Sequence, residues 1–333
     1  MMNQHLRTAF LIPLLAMTVV AADPQPIPKD TLPAKLAVDA VPLGLGSPPA
    51  IGDGAAAEAR VKLGRRLFFD PILSGDRTIA CASCHHPEHG FASAHGLPTG
   101  IRGQRLARRA PSLFKRALGK SFFWDGRAAT LEEQALMPIE DPREMGSSVA
   151  EAVSRLNADP DYRADFTTAF PDGVTAKNLG TAIANFERVL LRGDSKIDRF
   201  RQSGDVAALS PDERHGLWLY ESKARCWRCH SGPNFTDESF RNTGVGWGRE
   251  PPDLGRFNVT KVEADRGRFK TPSLRGVALT APYMHDGSLK TLEDVVEFYN
   301  RGGTENPLRD AAIAPLNLSK EEVGALVAFL KAL

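Results

Sequence analysis

Cys81-Ala82-Ser83-Cys84-His85 and Cys226-Trp227-Arg228-Cys229-His230 contain all four cysteines of a 333-residue chain. Cys-x-x-Cys-His is the attachment pattern of c-type haem. Two thiols at this spacing reach the two vinyl edges of one porphyrin, and the histidine that follows is then held beneath the iron. A chain of this composition would carry roughly 0.001 such matches by chance, yet two are present. The same residue types also build redox dithiols and zinc sites. A structural zinc site gathers its four ligands together, whereas these groups lie far apart in the chain and each ends in histidine. Two covalent haems c are expected, one on Cys81, Cys84 and His85, the other on Cys226, Cys229 and His230.

The rest of the chain is consistent with two haem domains. Hydrophobic residues make up 42% and charged residues 25%, enough for folded cores. Lys and Arg number 42 against 40 Asp and Glu, a net charge of +2 that argues against nucleic acid as a partner. Residues 1–22 read as a signal peptide: Arg7, a short apolar stretch, then small residues before Asp23. With no membrane-spanning segment in the mature chain, export to the periplasm follows, which suits covalent haem because it is attached outside the bacterial cytoplasm. Residues 23–50 hold seven prolines and read as a linker or extended arm. Residues 51–205 carry the first motif and 206–333 the second.

Helix signals dominate. Ser210-Pro211-Asp212-Glu213 and Ser319 with Glu322 are capping patterns. Thr175 precedes Leu179, Ile183, Phe186 and Leu190 on one face, and Thr291 precedes Leu292, Val295, Val296 and Tyr299. Strand alternation is scarce. The expected fold is mainly α, two cytochrome c-like haem domains with long loops and little strand. Beyond the motifs, the two halves share little by inspection.

Phe122-Phe123-Trp124-Asp125-Gly126-Arg127, Gln134, Pro138, Glu144-Met145 and Thr280-Ala281-Pro282-Tyr283-Met284-His285-Asp286-Gly287 complete the pattern. With the two haem motifs they resemble the bacterial di-haem cytochrome c peroxidases, and more closely their MauG-like branch, over about residues 55–333. The resemblance implies a first haem, on His85, where hydrogen peroxide reacts. Glu144 matches the family's acid–base glutamate, which the residues alone would not separate from Glu140. Gln134 matches its neighbour, Pro138 a distal-pocket position, and Trp124 the tryptophan between the haems. Where conventional members supply a distal histidine, this chain has Ile101, which cannot ligate iron; His86, His89 and His95 are the other imidazoles in reach.

For the second haem, on His230, the family spacing points to Tyr299 as axial ligand, with Met284 as the rival. A phenolate favours oxidised iron and a thioether reduced iron. Calcium between the domains is common in the family. Thr280 and Pro282 match its carbonyl ligands, but Arg109 stands in place of the side-chain ligand, and an arginine cannot bind Ca²⁺. Arg102, Arg105, Arg108, Arg109 and Arg116 form a basic run that reads as a solvated face, as neutralisation of haem propionates, or as a dock for an acidic partner.

Three functions follow. A MauG-like enzyme would activate peroxide at an open first haem and oxidise residues of a partner protein through Trp124 and the second haem. A conventional peroxidase would draw electrons from a small cytochrome c or cupredoxin. A non-catalytic di-haem carrier would have both irons fully ligated.

Overall fold

The computed structural model describes residues 26–33, 36, 41–52 and 54–333; the expected signal peptide, 1–22, lies outside the described residues. Ten α-helices account for most regular structure among them. They are α1 (Gly54–Phe69), α2 (Leu131–Glu140), α3 (Val149–Ala158), α4 (Pro160–Ala169), α5 (Ala176–Arg188), α6 (Lys196–Gln202), α7 (Pro211–Glu221), α8 (Phe257–Thr260), α9 (Leu292–Asn300) and α10 (Lys320–Lys331). Two short strands, β1 (Phe240–Arg241) and β2 (Phe269–Lys270), pair antiparallel. The mainly helical expectation holds, and each haem motif sits in a single tight turn, Cys81–Ser83 or Cys226–Arg228.

The helix starts follow their capping residues. Thr175 accepts from the Asn178 amide, and Ser210/Glu213, Thr291/Asp294 and Ser319/Glu322 are reciprocal capping boxes that satisfy otherwise orphaned donors. One core cluster centres on Leu67, Leu156, Phe166, Leu179 and Ile183; another runs through Leu219, Tyr220, Leu326 and Phe329. The latter takes in Ile197 of α6, on the N-terminal side of the 205/206 boundary expected from sequence.

In each half, the helix before the haem motif crosses the half's last long helix at a glycine. A Cβ on Gly64 of α1 would stand 1.9 Å from the Ala182 carbonyl oxygen and 3.0 Å from Phe186 Cβ in α5. A Cβ on Gly216 of α7 would stand 2.0 Å from the Ala325 oxygen and 2.7 Å from Phe329 Cβ in α10. The repetition extends further, which corrects the expectation that the halves share little beyond the motifs. Pro111-Ser112-Leu113 matches Pro272-Ser273-Leu274, Phe122 to Gly126 matches Tyr283 to Gly287, and Thr130-Leu131-Glu132 matches Thr291-Leu292-Glu293, all at one constant offset. The backbones agree: φ is +65° at Phe123 and +69° at Met284, and isolated bridges join Phe122 to Ala128 and Tyr283 to Leu289. This offset exceeds that between the haem motifs because the second half carries a longer loop after its histidine, so a search at one fixed period misses it.

The described residues of the Pro-rich segment touch the folded chain. Ile27, Leu32 and Leu36 pack against the cluster that includes Phe68 and Phe91, and Asp30 pairs with Arg65. Further along, the Gly44 carbonyl accepts from Arg275 at 2.7 Å. Arg275 also clamps Asp198 through two hydrogen bonds of 2.6 and 2.8 Å, a buried ion pair. Burial alone would raise the Asp198 carboxyl, but the bonds from Arg275 and Ser195 hold it below the ordinary carboxylate range.

Two tests follow from this packing. Gly64→Ala is expected to destabilise the fold by about 1–3 kcal/mol through overpacking. Gly324→Ala, at a helical site with nothing within 4 Å of the added carbon, is expected to stabilise it by about 0.5–1 kcal/mol; denaturant unfolding reads both signs. Asp198→Asn leaves Arg275 buried without its partner and is expected to cost about 3–5 kcal/mol at neutral pH. A depressed carboxyl contributes stability that is complete above its unfolded pKa of about 3.9 and is lost as pH falls through the folded value. The gap between wild type and variant should therefore narrow below about pH 4 in melts across pH.

Candidate functional site

Two cavities lie side by side, one at each haem motif. The first is lined by Cys81, Cys84 and His85 and by Gln134, Pro138, Glu144, Met145 and Trp124. The second is lined by Cys226, Cys229 and His230 and by Thr280, Met284, His285 and Tyr299. Arg109, Pro111, Ser112, Arg116, Phe123 and Trp124 line both.

Each motif histidine is oriented by its own loop. His85 Nδ1 lies 2.8 Å from the Phe91 carbonyl oxygen, and His230 Nδ1 lies 3.1 Å from that of Phe235. A carbonyl only accepts, so Nδ1 carries the proton and Nε2 keeps its lone pair for a metal. Burial lowers both pKa values, that of His85 to about 4, so both rings are neutral at neutral pH, the form that ligates iron. Burial pushes the Cys81, Cys84 and Cys226 thiols up to about 12.

These walls fit haem. Six arginines and Lys270 line the second cavity, with no aspartate or glutamate among its lining residues. Three of these arginines pair with carboxylates outside the lining, Arg116 with Glu238, Arg241 with Asp310 and Arg275 with Asp198; the propionates of a macrocycle would supply anions for the others, and the apolar residues around the cysteines suit its faces. Arg109 sharpens the point. It is 5% exposed, forms no ion pair with a carboxylate among the described residues, and its Nε has no hydrogen-bond partner. Burial lowers its pKa to about 10. The other members of the basic run divide: Arg108 pairs with Asp125 and Asp253 and Arg116 with Glu238, while Arg102 and Arg105 face solvent.

In the same cavity as His85, α2 and the turn after it supply Gln134, Pro138, Glu144 and Met145. The turn is pinned: the Ile101 amide donates to the Glu144 carbonyl (2.9 Å), Gly75 to that of Met145 (2.8 Å), and the Met145 amide to Pro138 (3.2 Å). Burial, with the nearby Asp141 adding to it, raises the Glu144 carboxyl against the pull of Arg127 and Arg143. Ile101 is 1% exposed and packs in the core against Met145 rather than lining the cavity. His86, His89 and His95 line neither cavity; their rings contact one another instead. Glu140 is likewise absent from the lining.

Trp124 is fixed between the cavities. Its Nε1 donates to the Arg109 carbonyl at 2.9 Å, its own carbonyl accepts from the Lys270 amide at 2.8 Å, and the Arg109 amide donates to His285 at 2.9 Å. The indole stands edge-on to His285, ring centres 6.4 Å apart, and His285 stacks on Phe269 at 3.6 Å. In the internal repeat, Trp124 and His285 are equivalent positions.

In the second cavity, Tyr299 and Met284 both line the wall. Burial raises the Tyr299 phenol. The Thr280 hydroxyl donates to the Val277 carbonyl at 3.0 Å, and Pro282 packs near Gly96 and Gly287. Among the described residues no cluster of three His, Cys, Asp or Glu is drawn together for a metal ion.

Sequence reasoning missed two groups. Glu187 of α5 is buried in the first cavity with one carboxyl oxygen unpartnered, and burial pushes its pKa up to about 8. Its signal was legible: it falls on the apolar face set by Leu179 and Ile183. Lys270, lining the second cavity, is pushed down to about 7 by burial, with Arg116 adding to the effect.

Comparison with known proteins agrees with this geometry. Residues 58–206 match the family model described as di-haem cytochrome c peroxidase. The methylamine utilization protein MauG of Methylorubrum extorquens is 41% identical over 278 residues, covering 82% of this chain and 78% of that protein. The cytochrome c551 peroxidase of Nitrosomonas europaea is 39% identical over 277 residues, covering 82% and 79%. A solved structure of a MauG-like protein associated with microbial copper homeostasis superposes with a TM-score of 0.78 at 34% identity, over 91% of this chain and 94% of that one. No helix among the described residues is long and apolar enough to cross a membrane. With two cavities built for covalent haem c and relatives of both kinds, the chain belongs to the di-haem cytochrome c peroxidase family and is a di-haem peroxidase.

Proposed function

We propose that the protein works in the MauG-like manner, in the periplasm: hydrogen peroxide is activated in the first cavity without prior reduction, and the oxidising equivalents pass to residues of a partner protein. The observation that carries this reading is the lining of the first cavity. It offers Glu144 and Gln134 in the same cavity as His85, and among the described residues it contains no second histidine. Ile101, where a conventional peroxidase has its distal histidine, is buried elsewhere.

Haem bound there supplies the iron at which the O–O bond is cleaved and the first electrons for it. Glu144 takes the proton of the near oxygen and returns it to the leaving oxygen, which departs as water. A carboxyl raised by burial is better suited to this than a solvated one, because its protonated form costs less to reach. Full reduction consumes two electrons and two protons per peroxide and yields two waters. Pro138 narrows the approach, and Gln134 offers an amide to orient what enters. Trp124, held by Arg109 and edge-on to His285, relays electrons between the cavities. Tyr299 lines the same cavity as His230 and would offer its phenol to a second haem. A buried phenol parts with its proton only beside a cation, so ligation there would favour the oxidised state.

A conventional peroxidase fed by a small cytochrome or cupredoxin uses the same first cavity, and relatives of that kind are about as similar to this chain. Stopped-flow mixing separates them. The fully oxidised protein is expected to react with peroxide directly, and a need for prior one-electron reduction would favour the conventional reading. A ferric EPR spectrum without a high-spin signal would favour the electron carrier, with Met145, also in the first cavity, as the ligand to suspect. Glu144→Gln is expected to slow the peroxide step by about 10²–10⁴-fold with haem spectra unchanged. Tyr299→Phe is expected to change the optical and EPR spectra of the second haem and Met284→Leu to leave them intact; the reverse pattern assigns the ligand to Met284.

A further inference from the structure

We propose that His86, His89 and His95 form a binding site for a late first-row divalent transition metal, copper(II) most tightly, separate from both haems. Three of the chain's eight histidines crowd into the loop that follows His85. Their rings contact each other pairwise, with centres 6.2, 6.4 and 6.4 Å apart, and so form a nearly equilateral triangle. The Glu88 carboxylate reaches within 3.6 Å of His86 Nδ1, adding an anionic oxygen beside the triangle. None of these side chains lines either haem cavity, and none belongs to a hydrophobic core cluster.

The geometry is near what a bound ion requires without yet meeting it. With metal–nitrogen distances near 2.0–2.1 Å, three imidazoles around one ion place their ring centres about 5–5.5 Å apart. The observed triangle is wider, and as placed no group of three His, Cys, Asp or Glu among the described residues could hold a metal ion. Closing it takes a shift of about half an ångström per ring, which small side-chain rotations at a partly exposed loop supply.

The backbone beneath is already fixed. The amides of His89 and Phe91 donate to the His86 carbonyl at 3.0 and 2.8 Å, and Gly90 turns the chain with φ +62°. His86 bridges to Ala92, and the Ser93 amide donates to Ala110 at 3.1 Å. A metal here orders side chains only, so little chain entropy opposes binding. Imidazole nitrogens with one carboxylate oxygen suit zinc, nickel and copper(II), and copper(II) binds such sets most tightly.

The test uses the full protein carrying both haems, titrated with copper(II) and followed by calorimetry and EPR. One tight equivalent is expected, with nitrogen hyperfine structure from imidazoles. The double variant His89→Gln/His95→Gln is expected to weaken binding by at least about tenfold, while His215→Gln, at a histidine stacked on Trp218, leaves it unchanged. Unchanged haem spectra in the double variant show that it has folded; should they change, His95→Gln, at an exposed position, gives the same reading alone. No stoichiometric equivalent in the wild type, or affinity in the folded variants equal to the wild type, overturns the site.

Discussion

Trp124 is held at the junction by main-chain hydrogen bonds, and the coupling of the two halves depends on them. Its indole donates to Arg109, the Arg109 amide donates to His285, and the Lys270 amide donates to Trp124. The two backbone bonds, Arg109 to His285 and Lys270 to Trp124, join the first half to the second, and the indole bond ties the Trp124 side chain to that frame. Side chains at a contact can shift rotamer independently, but these backbone links cannot loosen without leaving donors unpaired. The aromatic contact between Trp124 and His285 is thus fixed by the backbone. On the proposed function, the spread of oxidising equivalents over two centres inherits that rigidity.

Charge is distributed unevenly between the cavities, and this asymmetry separates their chemistry. Glu144 and Glu187, both raised by burial, line the first; no acid lines the second, where six arginines and a lysine gather. Buried carboxyls that can exchange protons therefore lie only on the first side. The second is arranged to hold negative charge. Carboxylates behind the wall already neutralise Arg116, Arg241 and Arg275. Arg109, buried and without a carboxylate among the described residues, is the one that a propionate would relieve of a desolvation cost.

How much was legible in the sequence depended on whether the signal was local. The capping boxes at Ser210 and Ser319 and the helical class rest on a few adjacent residues, and these the sequence makes legible; at Thr291 the apolar stripe was legible and the box itself was not read. Glu187 is an acid on an apolar helix face, readable in principle, but its orphaned oxygen exists only once α5 lies against the first cavity. The Gly64–Ala182 and Gly216–Ala325 crossings need residues far apart in the chain to meet, which no window of sequence contains. The internal repeat was hidden for a related reason. Its two halves differ in the loop after each histidine, so Pro111-Ser112-Leu113 and Pro272-Ser273-Leu274 fall out of step with the motifs that precede them.

That repeat also explains why equivalent positions came to differ. Trp124 and His285 occupy the same turn in the two halves, as do Phe123 and Met284 with φ near +65°. A turn that aims one side chain at the neighbouring half suits any aromatic ring at that place, so the scaffold tolerates indole on one side and imidazole on the other. The helices after these turns diverge further. Thr130 starts α2 and Thr291 starts α9 at matching points, and each helix or the turn after it lines its own cavity: α2 leads to Glu144, and α9 carries Tyr299. At the offset of the repeat, Tyr299 falls where the first half has Pro138, so the carboxyl and the phenol do not occupy equivalent positions: α9 itself presents Tyr299 to the second cavity, whereas the first cavity receives Glu144 from the turn after α2.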